Sequence, residues 1–384
     1  MAAALIVGAL TGGAAMSSPT YPDVPNLPSV KDLPDPFVLS SGKRITARSE
    51  WTERRMQIQD MLLHYEYGHL PPSPANLKAT ALSSTPASSG KALEDKVLIT
   101  CGPNNAVKLH LDLLIPQGKQ GPFPVILTGD PGPTPIPGEV VRRGYILAQF
   151  DRTELAPDDA SRDKGVYPLY PQHDWGALAA WAWGYSRAVD YLLTRPDVDA
   201  KQIAIAGHSR GGKAVLLAGA LDERIALTAP NESGTGGASP FRLPGKGSES
   251  VAKITGRFGY WFHPRLREFV GHEDQLPFDQ HFLMAMVAPR ALYLNVAMED
   301  PYSNPLSTQQ TYWAAKQVYA FLGSSERIGW RSREGGHSFD ADDWRALLDF
   351  ADAQFFLRPV QTKFNILPFP SVTPAFSWQA PHKP

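Results

Sequence analysis

The sequence predicts an α/β protein with a mainly parallel central sheet and helices on both of its faces. Two observations predict it. Short apolar runs, several rich in Val and Ile, alternate with helical stretches along most of the 384 residues, the pattern of a parallel sheet covered on both sides. Midway, Ile203-Ala-Ile-Ala leads into Gly207-His208-Ser209-Arg210-Gly211, and from Lys213 the chain continues as a helix through Val215, Leu216 and Ala218. A Gly-x-Ser-x-Gly between strand and helix is a nucleophile elbow, the turn that presents a strained serine in the α/β-hydrolase fold. The glycines fit because neighbouring backbone leaves no room for a Cβ. The helix N-terminus adds backbone N–H groups where an oxyanion would form beside Ser209 Oγ.

Composition narrows the function. A formal net charge of −1 with scattered Lys and Arg argues against a nucleic-acid partner. A lone cysteine, Cys101, rules out an intrachain disulfide or a cysteine metal cluster, and it reads as a small apolar strand residue. Residues 1–16 are uncharged, apolar and small, resembling a secretory signal, which predicts export to a secreted or periplasmic location. The run is too short and too glycine-rich for a transmembrane helix, so no membrane partner is expected. Nothing resembling a linker divides residues 17–384, which read as one α/β-hydrolase domain with proline-rich ends.

In chain order, residues 17–40 read as an extended, proline-rich approach. Ser49 is placed to cap a helix whose one face carries Trp51, Arg55, Ile58, Leu62 and Tyr65, stopped by Gly68 and Pro71-Pro72. Residues 76–115 contain two alternating runs, around Val97 and from Leu109 to Ile115, which predict antiparallel strands. Buried strands follow at Pro124–Asp130 and Tyr145–Asp151. A strongly apolar helix runs from Trp175, capped by Asp174 and ended before Pro196, with Trp175, Trp181 and Trp183 read as core. Ala226–Pro230 is a strand. Residues 238–280 follow no period and read as a long loop region shaping a site. A helix at Phe282–Val287, a strand at Ala291–Val296, a helix at Gln309–Leu322, a strand at Arg327–Trp330 and a helix at Asp342–Phe356 complete the alternation.

A serine hydroxyl needs a neighbouring base to become a nucleophile. His337, in the glycine loop Gly335-Gly-His after the last strand, has the chain position for it. His208 adjoins Ser209, but neighbours on an elbow point apart, which puts it behind the site. Asp279 and His281 offer two metal-ligand types without a third at plausible spacing, so a structural hydrogen bond is expected of His281. Two acids could orient the imidazole. Asp300 follows a strand between Ser209 and His337, in the chain order Ser…Asp…His, and Glu232 follows the strand after the elbow helix. Chain order favours Asp300, and both remain open.

With these residues the chain resembles the glucuronoyl esterases of carbohydrate esterase family 15, in its bacterial form. The matching segments are Gly207-His-Ser-Arg-Gly-Gly-Lys213, Asn231-Glu-Ser-Gly-Thr-Gly-Gly, Leu276-Pro-Phe-Asp-Gln-His, Ala288-Pro-Arg-Ala-Leu-Tyr and Gly335-Gly-His. The resemblance implies cleavage of the ester between a lignin alcohol and the 4-O-methyl-glucuronic acid of glucuronoxylan, with no metal or organic cofactor. It implies that Arg210 helps hold the oxyanion and that Lys213 and Glu249 bind the sugar. Fungal members place the acid where Glu232 lies, and bacterial ones often use an aspartate where Asp300 lies. Tyr302 stands where many members carry a tryptophan, which leaves a smaller aromatic face for the sugar ring. Two alternatives are an esterase of other specificity, such as an acetyl xylan esterase, and a carbohydrate-binding protein that kept the fold without the chemistry.

Overall fold

The computed structural model describes residues 21–381, so the signal expectation for residues 1–16 lies outside the described residues. Nine strands form one sheet: β1 (Lys78–Ala87), β2 (Ala92–Cys101), β3 (Val107–Pro116), β4 (Phe123–Thr128), β5 (Ile146–Gln149), β6 (Val198–His208), β7 (Leu227–Asn231), β8 (Ala291–Ala297) and β9 (Ile328–Arg333). Their order is β1-β2-β3-β5-β4-β6-β7-β8-β9. From β5 to β9 all neighbours are parallel, and β1, β2 and β3 extend one edge as antiparallel strands. The α/β-hydrolase expectation is met.

Successive residues of a strand point to opposite faces, and the two cores divide accordingly. Val125, Leu127, Ile203, Ile205, Leu292 and Leu294 pack into one core, while Ile126, Ala204, Ala206, Ala291 and Tyr293 pack into the other. The first core is closed by α1 (Trp51–Leu62), α3 (Ala177–Leu192), α4 (Arg210–Leu221), α6 (Gln280–Val287) and α7 (Pro305–Leu322). The second is closed by α2 (Pro137–Arg143) and α8 (Ala341–Phe356). The remaining helix, α5 (Val251–Phe258), lies in the long segment after β7. Trp175, Trp181 and Trp183 are buried as core residues. So is Cys101, at the end of β2. Among the described residues no helix is long and apolar enough to cross a membrane.

Several expectations are corrected. Ser49 does not cap α1: it lies within a short 3-10 turn, and the Glu50 carboxylate satisfies the N–H groups of Thr46 and Ala47 instead. Asp174 does not cap α3, whose N-cap is Gly176; its carboxylate accepts from the His69 N–H at 2.9 Å and pairs with His263 at 3.2 Å. Residues 76–115 form three strands, because β1 also pairs in the sheet. Apart from Ala87, its residues are all exposed, so it has no apolar alternation to read. The helix α2 was not expected, and α5 interrupts what reads as loop over 238–280.

Candidate active site

The elbow is held open by its surroundings. Ser209 sits between β6 and α4 at φ +56° and ψ −121°, a conformation that costs free energy for any residue with a Cβ. Three hydrogen bonds fix it: Ser209 N–H to Asn231 O at 2.9 Å, Lys213 N–H to Ser209 O at 3.0 Å, and His208 N–H to Asp130 Oδ2 at 2.7 Å. Both flanking glycines are required by space. A Cβ on Gly207 would lie 2.8 Å from the Gly211 backbone, and one on Gly211 would lie 1.8 Å from Asp130 Oδ1.

His337 follows β9 on a loop turned by Gly335, at φ +88°. Its Nδ1 lies 2.7 Å from Asp300 Oδ2 and 3.3 Å from Glu232 Oε2, so both carboxylates reach the ring. Asp300, buried at the end of β8, also accepts the N–H groups of Tyr302 at 2.9 Å and Ser303 at 3.1 Å. Glu232, just after β7 at φ +44°, accepts Arg333 at 2.5 Å and the Ser338 N–H at 2.9 Å. Burial works against charge on His337, but its hydrogen bonds to the Asp300 and Glu232 carboxylates outweigh it and push the imidazole up to about 9. Burial alone would raise Asp300 too, yet its hydrogen bonds to His337 and Ser303 hold it below the usual carboxylate range. Burial raises Glu232. His208 does not lie wholly behind the site: it lines the larger of two cavities at Ser209, with its ring 4.4 Å from that of His337 and its Nδ1 2.8 Å from the Asn231 amide. Burial, then the His337 charge, lowers it to about 4, so it stays neutral. His281 is likewise held by a hydrogen bond, to Pro34 O at 2.8 Å.

Ser209, Arg210 and His337 face two cavities. One, of about 200 Å³, gathers Lys213, Glu232, Glu249 and Tyr302, every candidate except the buried Asp300 beneath them. It also contains Arg257, Phe258 and Trp261, which sequence reasoning left inside an unperiodic stretch. Lys213 is buried, donates to Ser233 O, and is lowered to about 8 chiefly by burial. The other cavity, of about 480 Å³, is lined by Pro131, Pro135, Phe339 and Trp344 and also by Asp130, Arg152 and His208. No hydrogen bond of 3.5 Å or less joins Ser209 Oγ to His337 among the described residues, and catalytic contacts of this kind are often long without substrate.

The loop after β4 matters for oxyanion binding, because hydrolases of this class draw one N–H from it. Here the Gly129 N–H donates to Tyr185 Oη at 2.7 Å and the Asp130 N–H to Thr128 Oγ1 at 3.3 Å. Pro131 has no N–H to offer. Arg210, the residue after the serine, carries a side-chain cation and lines both cavities together with Ser209. Its Nη1 donates to Asp158 at 2.7 Å. As for metals, ligand atoms of His208, Glu232 and His337 lie within 4.8 Å of one another. The Arg333 guanidinium already pairs with Glu232 at 2.5 Å, a fixed positive charge that disfavours a cation there.

The sheet order and the elbow define an α/β-hydrolase. The family "Glucuronyl esterase, fungi" matches residues 99–323. The chain is 32% identical to a 4-O-methyl-glucuronoyl methylesterase of Podospora anserina over 83% of this chain and 66% of that protein. It superposes on a carbohydrate esterase family 15 glucuronoyl esterase from Caldicellulosiruptor kristjansonii with a TM-score of 0.80 and 31% identity, over 94% of this chain and 99% of that one. A Sporotrichum thermophile glucuronoyl esterase solved with methyl 4-O-methyl-beta-D-glucopyranuronate matches at 26% identity and a TM-score of 0.72, over 88% and 92% of the two chains. The chain belongs to the glucuronoyl esterase family, carbohydrate esterase family 15.

Proposed function

We propose that the chain is a serine esterase that hydrolyses esters of 4-O-methyl-glucuronoyl groups of glucuronoxylan, including those to lignin alcohols. The observation that carries this reading is the small cavity in which Ser209, His337, Arg210, Lys213, Glu249 and Tyr302 meet. His337 takes the proton of Ser209 Oγ as that oxygen attacks the uronoyl carbonyl carbon. The carbonyl oxygen becomes an oxyanion, met by the Arg210 N–H at the start of α4 and by the Arg210 guanidinium, which stands in for the N–H that Gly129 and Asp130 do not offer. Collapse of the intermediate breaks the bond to the alcohol oxygen, which takes the proton back from His337. Water, activated by the same imidazole, then attacks the acyl-serine and releases glucuronate.

Asp300 is the acid that orients His337 and stabilises its charged form, and Glu232 assists. Lys213 and Glu249 hold sugar hydroxyls, with Tyr302 against the ring. The larger cavity across Ser209, where proline and aromatic faces meet Asp130 and Arg152, takes the alcohol portion. The small, uncharged, apolar residues 1–16 support export. Comparing kcat/KM on benzyl glucuronate with that on an aryl acetate tests the specificity. A preference for the uronate is expected; a preference for the acetate would remove the uronate assignment.

A further inference from the structure

A carboxylate outside the triad converges on the proposed oxyanion donor. Asp158, in the loop between β5 and α3, accepts Arg210 Nη1 on Oδ2 at 2.7 Å, and Trp261 Nε1 and Tyr260 Oη on Oδ1 at 2.9 and 3.0 Å. The Tyr260 hydroxyl also reaches Asp158 O at 2.8 Å. Burial would raise this carboxyl, but its hydrogen bonds from Trp261 and Arg210 hold it below its ordinary value, as an anion. The aromatic wall is rigid in turn. Phe258 and Trp261 stack with centroids 3.9 Å apart and planes 6° apart, and the guanidinium lies 5.2 and 4.9 Å from the two ring centres. Arg210 is therefore held at one end by an anion and lies beside the two stacked rings. Its remaining donors are left to the cavities that meet at Ser209.

We infer that Asp158 is a positioning residue for the reaction, fixing the Arg210 guanidinium beside the place where the oxyanion forms. The inference rests on the reading of Arg210 as an oxyanion donor. A long, half-exposed arginine has many rotamers, and a donor that must be ordered in the transition state contributes less than one already in place. A charge-assisted hydrogen bond to a carboxylate that is itself held by two other donors supplies that order. Its loss should therefore be felt in the chemical step more than in sugar binding.

The test is a double-mutant cycle between Asp158→Asn and Arg210→Met, read as kcat and KM on benzyl glucuronate. Asp158→Asn alone is expected to lower kcat about 10- to 50-fold, less than loss of an oxyanion donor itself, with KM changed less than about threefold. In the Arg210→Met background the same substitution should change kcat by less than about twofold, since there is no guanidinium left to hold. Tyr260→Phe, which removes one donor from the carboxylate, should show the same dependence on Arg210 at smaller size. It keeps the cycle readable if Asp158→Asn does not fold. If Arg210→Met lowers kcat but the Asp158 and Tyr260 substitutions act equally with and without Arg210, the positioning role is overturned and the function stands. If Arg210→Met leaves kcat unchanged, the oxyanion reading of Arg210 fails and takes the positioning role with it.

Discussion

The loops after β7 and after β8 each deliver a carboxylate to the same imidazole nitrogen, and they use it differently. Asp300 receives only N–H and O–H donors from its own loop besides the ring, so its charge is not matched by any cation in salt-bridge contact among the described residues other than His337. Glu232 stands further from the ring and is shared with Arg333, which also holds Asp343 at 2.7 Å. The electrostatic help an acid gives a histidine depends on which other charges it must balance. On that measure we propose that Asp300 orients the base, and that Glu232 ties the histidine loop to the sheet while adding a weaker negative field.

The strongest way to break this comparison is to remove the acids singly and together. The double substitution Asp300→Asn with Glu232→Gln is expected to lower kcat about 10,000-fold, the scale of losing the orienting acid altogether in a triad. Asp300→Asn alone should cost about 100-fold, because Glu232 still reaches Nδ1, and Glu232→Gln alone about tenfold or less. A larger loss from Glu232→Gln than from Asp300→Asn, in steady-state kinetics on benzyl glucuronate, would reverse the assignment.

A pH profile sharpens the same point. Because the carboxylates push His337 up to about 9, its neutral, base-competent form grows as pH rises, and kcat/KM should climb to a plateau above that value. Glu232→Gln removes one anion that favours the imidazolium, so the limb should move to lower pH. Arg333→Met frees the Glu232 charge and should move the limb up. Limbs that coincide in all three proteins would mean that Glu232 does not act on the ring.

The smallest effect is expected at the cavity rim. Tyr302 is 46% exposed, with its ring centre 5.9 Å from that of His337. Tyr302→Trp offers a larger face to a sugar and should lower KM about two- to threefold at unchanged kcat. A change in kcat instead would tie residue 302 to the histidine rather than to the sugar.

By itself the amino-acid order determined the parallel part of the sheet, the elbow and the histidine loop, because each is written in local terms. Buried parallel strands are short apolar runs, and a glycine on each side of Ser209 is what close backbone approach demands at that turn. What has no local signature was decided only in three dimensions. The β1 strand faces water on nearly all its length, so its pairing with β2 is stated nowhere in its own residues. Asp158 and Arg333 look like any surface charge until loops 52 and 101 residues away place Arg210 and Glu232 against them. The choice between Asp300 and Glu232 is of the same kind. Chain order admits both, and a difference of 2.7 against 3.3 Å, with an arginine on one acid alone, exists only once the loops after β7, β8 and β9 have met at one end of the sheet.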